Sequence, residues 1–165
     1  NIGAPCTLHL KKNARLVWEI NNPTDYIVLG FTSEEEKRAV RFRQNQRDNL
    51  LTLLIDKGIT KQGCFDILLN EGIKLPEIYS FGYPNANCIG CVKATSPTYW
   101  NLVRKTFPDV FDKRVKLSEK LGAKLVRYKG KRIPLKELPV DAKGRDLKNY
   151  NFECGIFCMR DNESN

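Results

Sequence analysis

Four of the six cysteines fall in two close pairs, Cys88-x2-Cys91 and Cys154-x3-Cys158, separated by a long stretch of chain. Gaps of two or three residues let both thiolates of a pair reach one ion without strain, and four gathered thiolates need a cation to neutralise them. A site joining the two pairs would fold the carboxy-terminal stretch back onto the body of the protein. The expected ligands are therefore Cys88, Cys91, Cys154 and Cys158. Structural zinc uses this ligand set, and a four-iron (4Fe-4S) cluster takes the same one. Disulfides, a redox dithiol at Cys88-Ile89-Gly90-Cys91 and unrelated buried cysteines are the competing readings. Apolar positions after residue 122 are few, so metal binding is expected to supply much of the free energy that folds the late segment.

With 165 residues, the chain has room for one compact domain or two small lobes. Hydrophobic residues at 41% and charged residues at 28% are globular proportions, which exclude a disordered or coiled-coil chain. No stretch is apolar for long enough to span a membrane, and the segment Asn1 to Cys6 lacks the features of a secretory signal. A soluble, unexported, cytoplasmic protein is expected. The chain starts at Asn1 rather than Met, so processing or a missing upstream stretch is expected as well.

The net charge of +9 is unevenly distributed. Residues 101–148 hold 15 basic against 6 acidic side chains, which accounts for the whole excess. Lys124, Arg127, Lys129, Lys131 and Arg132 could attract the phosphates of a nucleotide or of a polymer. A solvated cationic face is the alternative.

Apolar spacing predicts a helix over 5–20, broken by Asn21-Asn22-Pro23. Tyr26 to Phe31 and Leu50 to Ile55 are continuous β-prone runs of the kind found in buried parallel strands. Between them, Ser33 to Glu36 forms a capping box that opens a helix reaching about Gln44. Thr60 opens a further helix with Gly72 as its stop. This βαβα rhythm indicates a partial parallel sheet with flanking helices, an α/β arrangement. Beyond Leu75-Pro76 the texture changes to a short helical turn over 77–81, an irregular loop holding Cys88 and Cys91, and two helices opened by Ser96-Pro97 and Pro108. A small hairpin around Lys129-Gly130-Lys131 follows, and Val140 to Tyr150 is expected to be extended. The expected division is an α/β part over 1–81 and an irregular helical, four-cysteine metal-bound lobe over 82–165.

Several segments taken in order carry a resemblance. They are Gly3 to Lys11, the strand and helix over Tyr26 to Arg41, Asn87-Cys88-Ile89-Gly90-Cys91-Val92-Lys93, Tyr99-Trp100-Asn101, and Glu153-Cys154-Gly155-Ile156-Phe157-Cys158. Together they resemble the phosphoadenosine phosphosulfate (PAPS) reductase-like branch of the adenine-nucleotide alpha-hydrolase superfamily, particularly its short four-cysteine members often found in phage genomes. The resemblance implies binding of an adenine nucleotide, a role in sulfur or nucleic-acid modification, and residence in a bacterial host's cytoplasm if the chain is phage-encoded. It also implies Lys11 as a phosphate contact and Cys6 as an alternative metal ligand. Two departures stand out. The family's Ser-Gly-Gly-x-x-Ser phosphate loop is absent, so the chain matches the carboxy-terminal two thirds; it is then a fragment, is completed by a second chain, or has abandoned nucleotide chemistry. At the tail, Phe157-Cys158 replaces the family's histidine, which favours Cys154 as a metal ligand over Cys154 as the attacking nucleophile.

Arg38 and Arg41 follow the end of the first strand, where ligands bind in open α/β sheets. Lys93 and Arg104, with Tyr99 and Trp100, adjoin the cysteine loop, where basic and aromatic side chains could clamp a base; Trp100 as a core residue is the alternative. His9 is the only histidine and reads as a packed or edge residue, and Cys64 as buried. The expected function is that of a PAPS reductase-like nucleotide-binding protein, incomplete as a catalyst unless the phosphate loop is supplied elsewhere. The alternative is a metal-stabilised nucleic-acid-binding module without catalytic activity.

Overall fold

The computed structural model describes residues 8–147. The described chain is mixed α/β, with one small parallel sheet flanked by helices, and divides into two compact units between Leu75 and Pro76. Among the described residues no helix is long and apolar enough to cross a membrane.

In the first unit a wide turn at Leu8–Lys12 leads into α1 (Asn13–Asn21). The wide π-helical turn runs into α1 without a break, so the chain is helical over 8–21 where a helix over 5–20 was expected, and the first residues of that expected helix lie outside the described part. Glu19 is buried against two guanidinium groups, Arg15 at 3.2 Å and Arg47 at 2.6 Å, which ties α1 to the chain leaving α2. Strand β1 (Ile27–Val28) pairs in parallel with β2 (Leu50–Leu51), Ile27 opposite Leu50, through the crossover helix α2 (Glu36–Asn45). The capping box that opens this crossover sits one residue earlier than the sequence suggested. Thr32 is the cap, its N–H donating to Glu35 Oε2 at 3.3 Å. Phe31, Ala39, Phe42 and Leu50 form the core, with Phe31 and Phe42 meeting edge-on at 6.2 Å.

The ladder is shorter than the β-prone runs. Leu53–Asp56 is a helical turn, α3, where a buried strand was expected. Thr52 decides this. Its buried hydroxyl donates to Asp56 Oδ1 (3.2 Å) and accepts from Arg43 (3.0 Å), and its carbonyl accepts the Asp56 N–H (3.0 Å), local bonds that compete with a strand ladder. Helix α4 (Lys61–Asn70) then forms as its caps dictate: the Thr60 hydroxyl accepts from the Gly63 N–H (3.0 Å), and the Glu34 carboxylate accepts from the Lys61 N–H (3.1 Å).

The second unit holds the larger core. Helix α5 (Pro97–Thr106) and helix α6 (Pro108–Lys120) form an angled pair that buries Tyr99, Trp100, Val103 and Phe111. Strands β3 (Val126–Tyr128) and β4 (Lys131–Ile133) form an antiparallel hairpin whose Val126 enters the same core. Lys129 and Gly130 both have positive φ (46° and 79°), the two-residue turn whose twist matches a hairpin.

As far as it is described, the late segment is anchored by buried apolar residues and by hydrogen bonds to α5, more core than its few apolar positions suggested. Leu135, Leu138 and Ala142 are buried. Asn101 donates to the carbonyls of Pro139 (3.0 Å) and Ala142 (2.9 Å), and Arg104 to that of Leu138 (2.8 Å). The Ser96 hydroxyl is spent on the Arg145 carbonyl (3.1 Å) rather than on capping α5, and the Gly144 N–H donates to Thr98 (2.9 Å). A Cβ on Gly144 would lie 2.6 Å from Pro97 Cδ, so only glycine lets the strap approach this closely. The segment runs through bends and turns rather than as the expected extended stretch.

Candidate metal centre

The loop carrying Cys88 and Cys91 is built onto the first turn of α5. The Tyr99 hydroxyl accepts the Cys91 N–H (3.2 Å) and donates to the Cys88 carbonyl (3.4 Å), spanning the pair from below. The Cys91 carbonyl accepts the Ala94 N–H (3.0 Å), and the Ala94 carbonyl takes the Trp100 indole N–H (2.8 Å). Gly90 turns the loop at φ 67°, and a Cβ there would meet Val110 at 2.8 Å. Four contacts thus fix a loop whose sequence is otherwise irregular. Cys88 is exposed and Cys91 half-buried.

Burial pushes the Tyr99 phenol up to about 12, against the opposing pull of the Cys91 and Gly90 backbone bonds. It therefore stays a neutral donor and acceptor at ordinary pH. Arg114, on α6, lies under Gly90, its Nε 3.3 Å from where a Cβ would sit. That Nε is buried and has no hydrogen-bond partner among the described residues. A cation with an unspent donor against Gly90, between the two cysteines in sequence, suits a loop that carries anionic sulfur, because thiolate ligands are commonly held by outer-shell hydrogen bonds. The donor set therefore fits half of a thiolate metal centre.

Among the described residues no three His, Cys, Asp or Glu side chains gather as metal ligands. Cys154 and Cys158, the other two expected ligands, and Cys6, the alternative one, lie outside the described residues, as does the tail motif around Cys154. Cys64 is half-buried on α4 in the first unit rather than fully buried, and His9 is exposed.

The expected phosphate contacts fall in both units. Lys11 is exposed in the wide turn; Arg38 pairs with Glu35 and covers the Phe31 ring at 5.2 Å; Arg41 is exposed on α2. In the second unit, Lys93 is half-buried beside the cysteine loop. Arg104 bonds Asn101 (2.8 Å) and Leu138 and stacks on Phe111 at 4.4 Å. It also lines an open depression of about 640 Å³ with Lys105 and Lys143. Tyr99 and Trp100 are core residues, 4% and 0% exposed, so neither ring is presented to a base as the clamp reading required. Sequence reasoning missed Arg114 altogether, since one basic residue on a basic amphipathic helix carries no signal of its own. It missed the anchoring role of Ser96 and Thr98 for the same reason.

Comparison with protein-family models, with curated proteins and with solved structures found no match for this chain.

Proposed function

We infer that this chain is a PAPS reductase-like, adenine-nucleotide-binding protein in which Cys88 and Cys91 join Cys154 and Cys158 around a structural zinc ion or 4Fe-4S cluster. The carrying observation is the pinned Cys88–Cys91 loop with the Arg114 donor spare beneath it. Chain length allows the rest. Arg145 is bonded to Ser96, which follows Cys91 by five positions, a reach of at most about 18 Å; the nine positions from Arg145 to Cys154 span up to about 32 Å. Cys154 can therefore reach Cys91 without disturbing the anchored strap.

The depression beside Arg104, with Lys105 and Lys143 on its wall, has the volume and the charge for a phosphate-bearing small molecule. No catalytic step is assigned to the chain alone, because its sequence lacks the phosphate loop. A second chain or segment completing the α/β half would account for the first unit's sheet. Val28 and Leu51 on its two described strands, and Tyr26 and Leu53 close beside them in sequence, are exposed, whereas parallel sheets are normally covered on both faces.

The test is elemental analysis and an absorption spectrum of protein purified without oxygen. One zinc per colourless chain, or four irons per brown chain, supports the reading, and Cys88→Ser with Cys91→Ser removes the metal. Arg114→Gln is expected to weaken metal affinity about 10- to 100-fold while leaving the fold intact by circular dichroism. Metal-free protein that rapidly reduces a disulfide reporter would replace it with a dithiol oxidoreductase. Nucleotide binding is checked by titrating an adenine nucleotide into wild type and Lys105→Gln/Lys143→Gln, which is expected to bind more weakly.

A further inference from the structure

We propose that the β3–β4 hairpin is a docking surface for the phosphate backbone of double-stranded DNA. Lys124, Arg127, Lys129, Lys131 and Arg132 are all exposed on or beside it, and the chain carries no carboxylate between Glu119 and Glu137. Of those two acids, Glu119 pairs with Lys136 (3.1 Å) rather than with a hairpin cation. Among the described residues none of the five cations is paired with a carboxylate.

The arrangement works against the protein's own stability. Arg127 and Arg132 stand directly opposite one another in the antiparallel register. The Arg127 N–H donates to Thr95 (2.9 Å), away from β4, so this is the pair without mutual backbone bonds, in which side chains lie closest. Like charges at such a position destabilise a hairpin. Arg132 spends one donor on the Leu125 carbonyl (2.9 Å), which holds its guanidinium over the hairpin's solvent face. Val126 is fully buried and its partner Ile133 and Tyr128 are half-buried, so the ribbon is rooted in the core, while Lys131, opposite Tyr128 at the turn, stays exposed next to Arg132. An anionic partner relieves the repulsion.

Several observations select duplex DNA among polyanions. The cations stand exposed on a two-stranded ribbon, which suits a polymer backbone better than the enclosing pocket a single nucleotide takes. A two-stranded ribbon fits the major groove of B-form DNA. Single strands are held by exposed aromatic platforms, and Tyr128 is half-buried under Lys129, 5.4 Å from its ring. Anionic membranes demand inserted apolar side chains, and no large apolar residue is exposed between Leu121 and Val140.

The experiment measures binding of the purified full-length protein to a fluorescein-labelled duplex by anisotropy at several salt concentrations. If the five cations contact phosphates, raising salt from 50 to 200 mM weakens binding about 500-fold. Arg127→Gln/Arg132→Gln reduces that loss to about 40-fold and lowers affinity at least about tenfold at fixed salt, with an unchanged or higher Tm. Lys113→Gln/Lys116→Gln removes the same charge from exposed positions on α6 and is expected to change affinity less than about twofold. Equal weakening by both double variants, or no effect of the hairpin variant, overturns the proposal. So does single-stranded oligonucleotide bound as tightly as duplex, or phosphatidylserine vesicles bound more tightly. Metal content and nucleotide binding, measured on the same samples, are independent of the outcome.

Discussion

The Tyr99 phenol sits among Trp100, Tyr83 and the cysteine loop, where an ionised oxygen would be poorly solvated, and its tendency to keep the proton has a consequence for stability. The unfolded chain ionises this group near its ordinary value of 10.0, the folded chain only near 12. Its contribution is therefore complete below pH 10 and is lost as pH rises toward 12. Urea unfolding at stepped pH is expected to show the second unit weakening across that interval, and phenolate absorbance should show one tyrosine titrating last. Tyr99→Phe removes that late titration. At pH 8 it also costs about 1–2 kcal/mol, because the Cys91 N–H loses its acceptor. A Tyr99→Phe protein as stable as wild type at pH 8 would mean the loop is held by something else. Gly90 explains why the loop needs holding in this form: Val110 and Arg114 occupy the space a side chain would take, so the loop lies close against α6.

The strap from Leu135 to Arg145 shows how a polar segment is fixed by another element's side chains. Ser96, Thr98, Asn101 and Arg104 all project from the start and one face of α5 and all bond the strap's backbone. In hydrogen exchange, Asn101→Ala is expected to reduce protection of the Ala142 and Gly144 amides by about 1–3 kcal/mol, since it removes two bonds to the strap and one of the two acceptors of Arg104. Removing metal from the loaded protein with a chelator should leave those same amides protected; exposure of Ala142 on chelation would restore the metal as the strap's main support. Helices α4, α5 and α6 and the Lys129-Gly130 turn were legible in the sequence because their determinants are local: Thr60, Pro97, Pro108 and a glycine at positive φ act within a few residues. The second strand was misread past Leu51 because β-propensity describes a packing environment, and the local bonds of Thr52 prevailed there. The cysteine loop was legible as a spacing, but its supports were not, since Tyr99 and Arg114 reach it through tertiary contacts.

The two units divide the apolar resources unequally. Among the described residues the second gathers ten buried apolar residues, Trp100 included, whereas the first buries Phe31, Ala39, Phe42 and Leu50 and leaves Trp18 57% and Ile20 79% exposed. Apolar burial contributes about 25 cal/mol per Å², so the first unit has much less to set against its chain entropy. Part of the difference is met by polar ties such as the Glu19 carboxylate between Arg15 and Arg47. Unfolding is therefore expected in two steps, the first unit melting at lower urea. The two tryptophans report separately, because Trp18 is exposed and Trp100 is fully buried. In Trp18→Phe protein the blue-shifted emission of Trp100 should follow the later transition alone. Exchange of the α2 amides should follow the earlier one, and Glu19→Gln should move only that step. Coincident transitions in both probes would show that the two units unfold as one cooperative body, and that the smaller core of the first does not set its own stability.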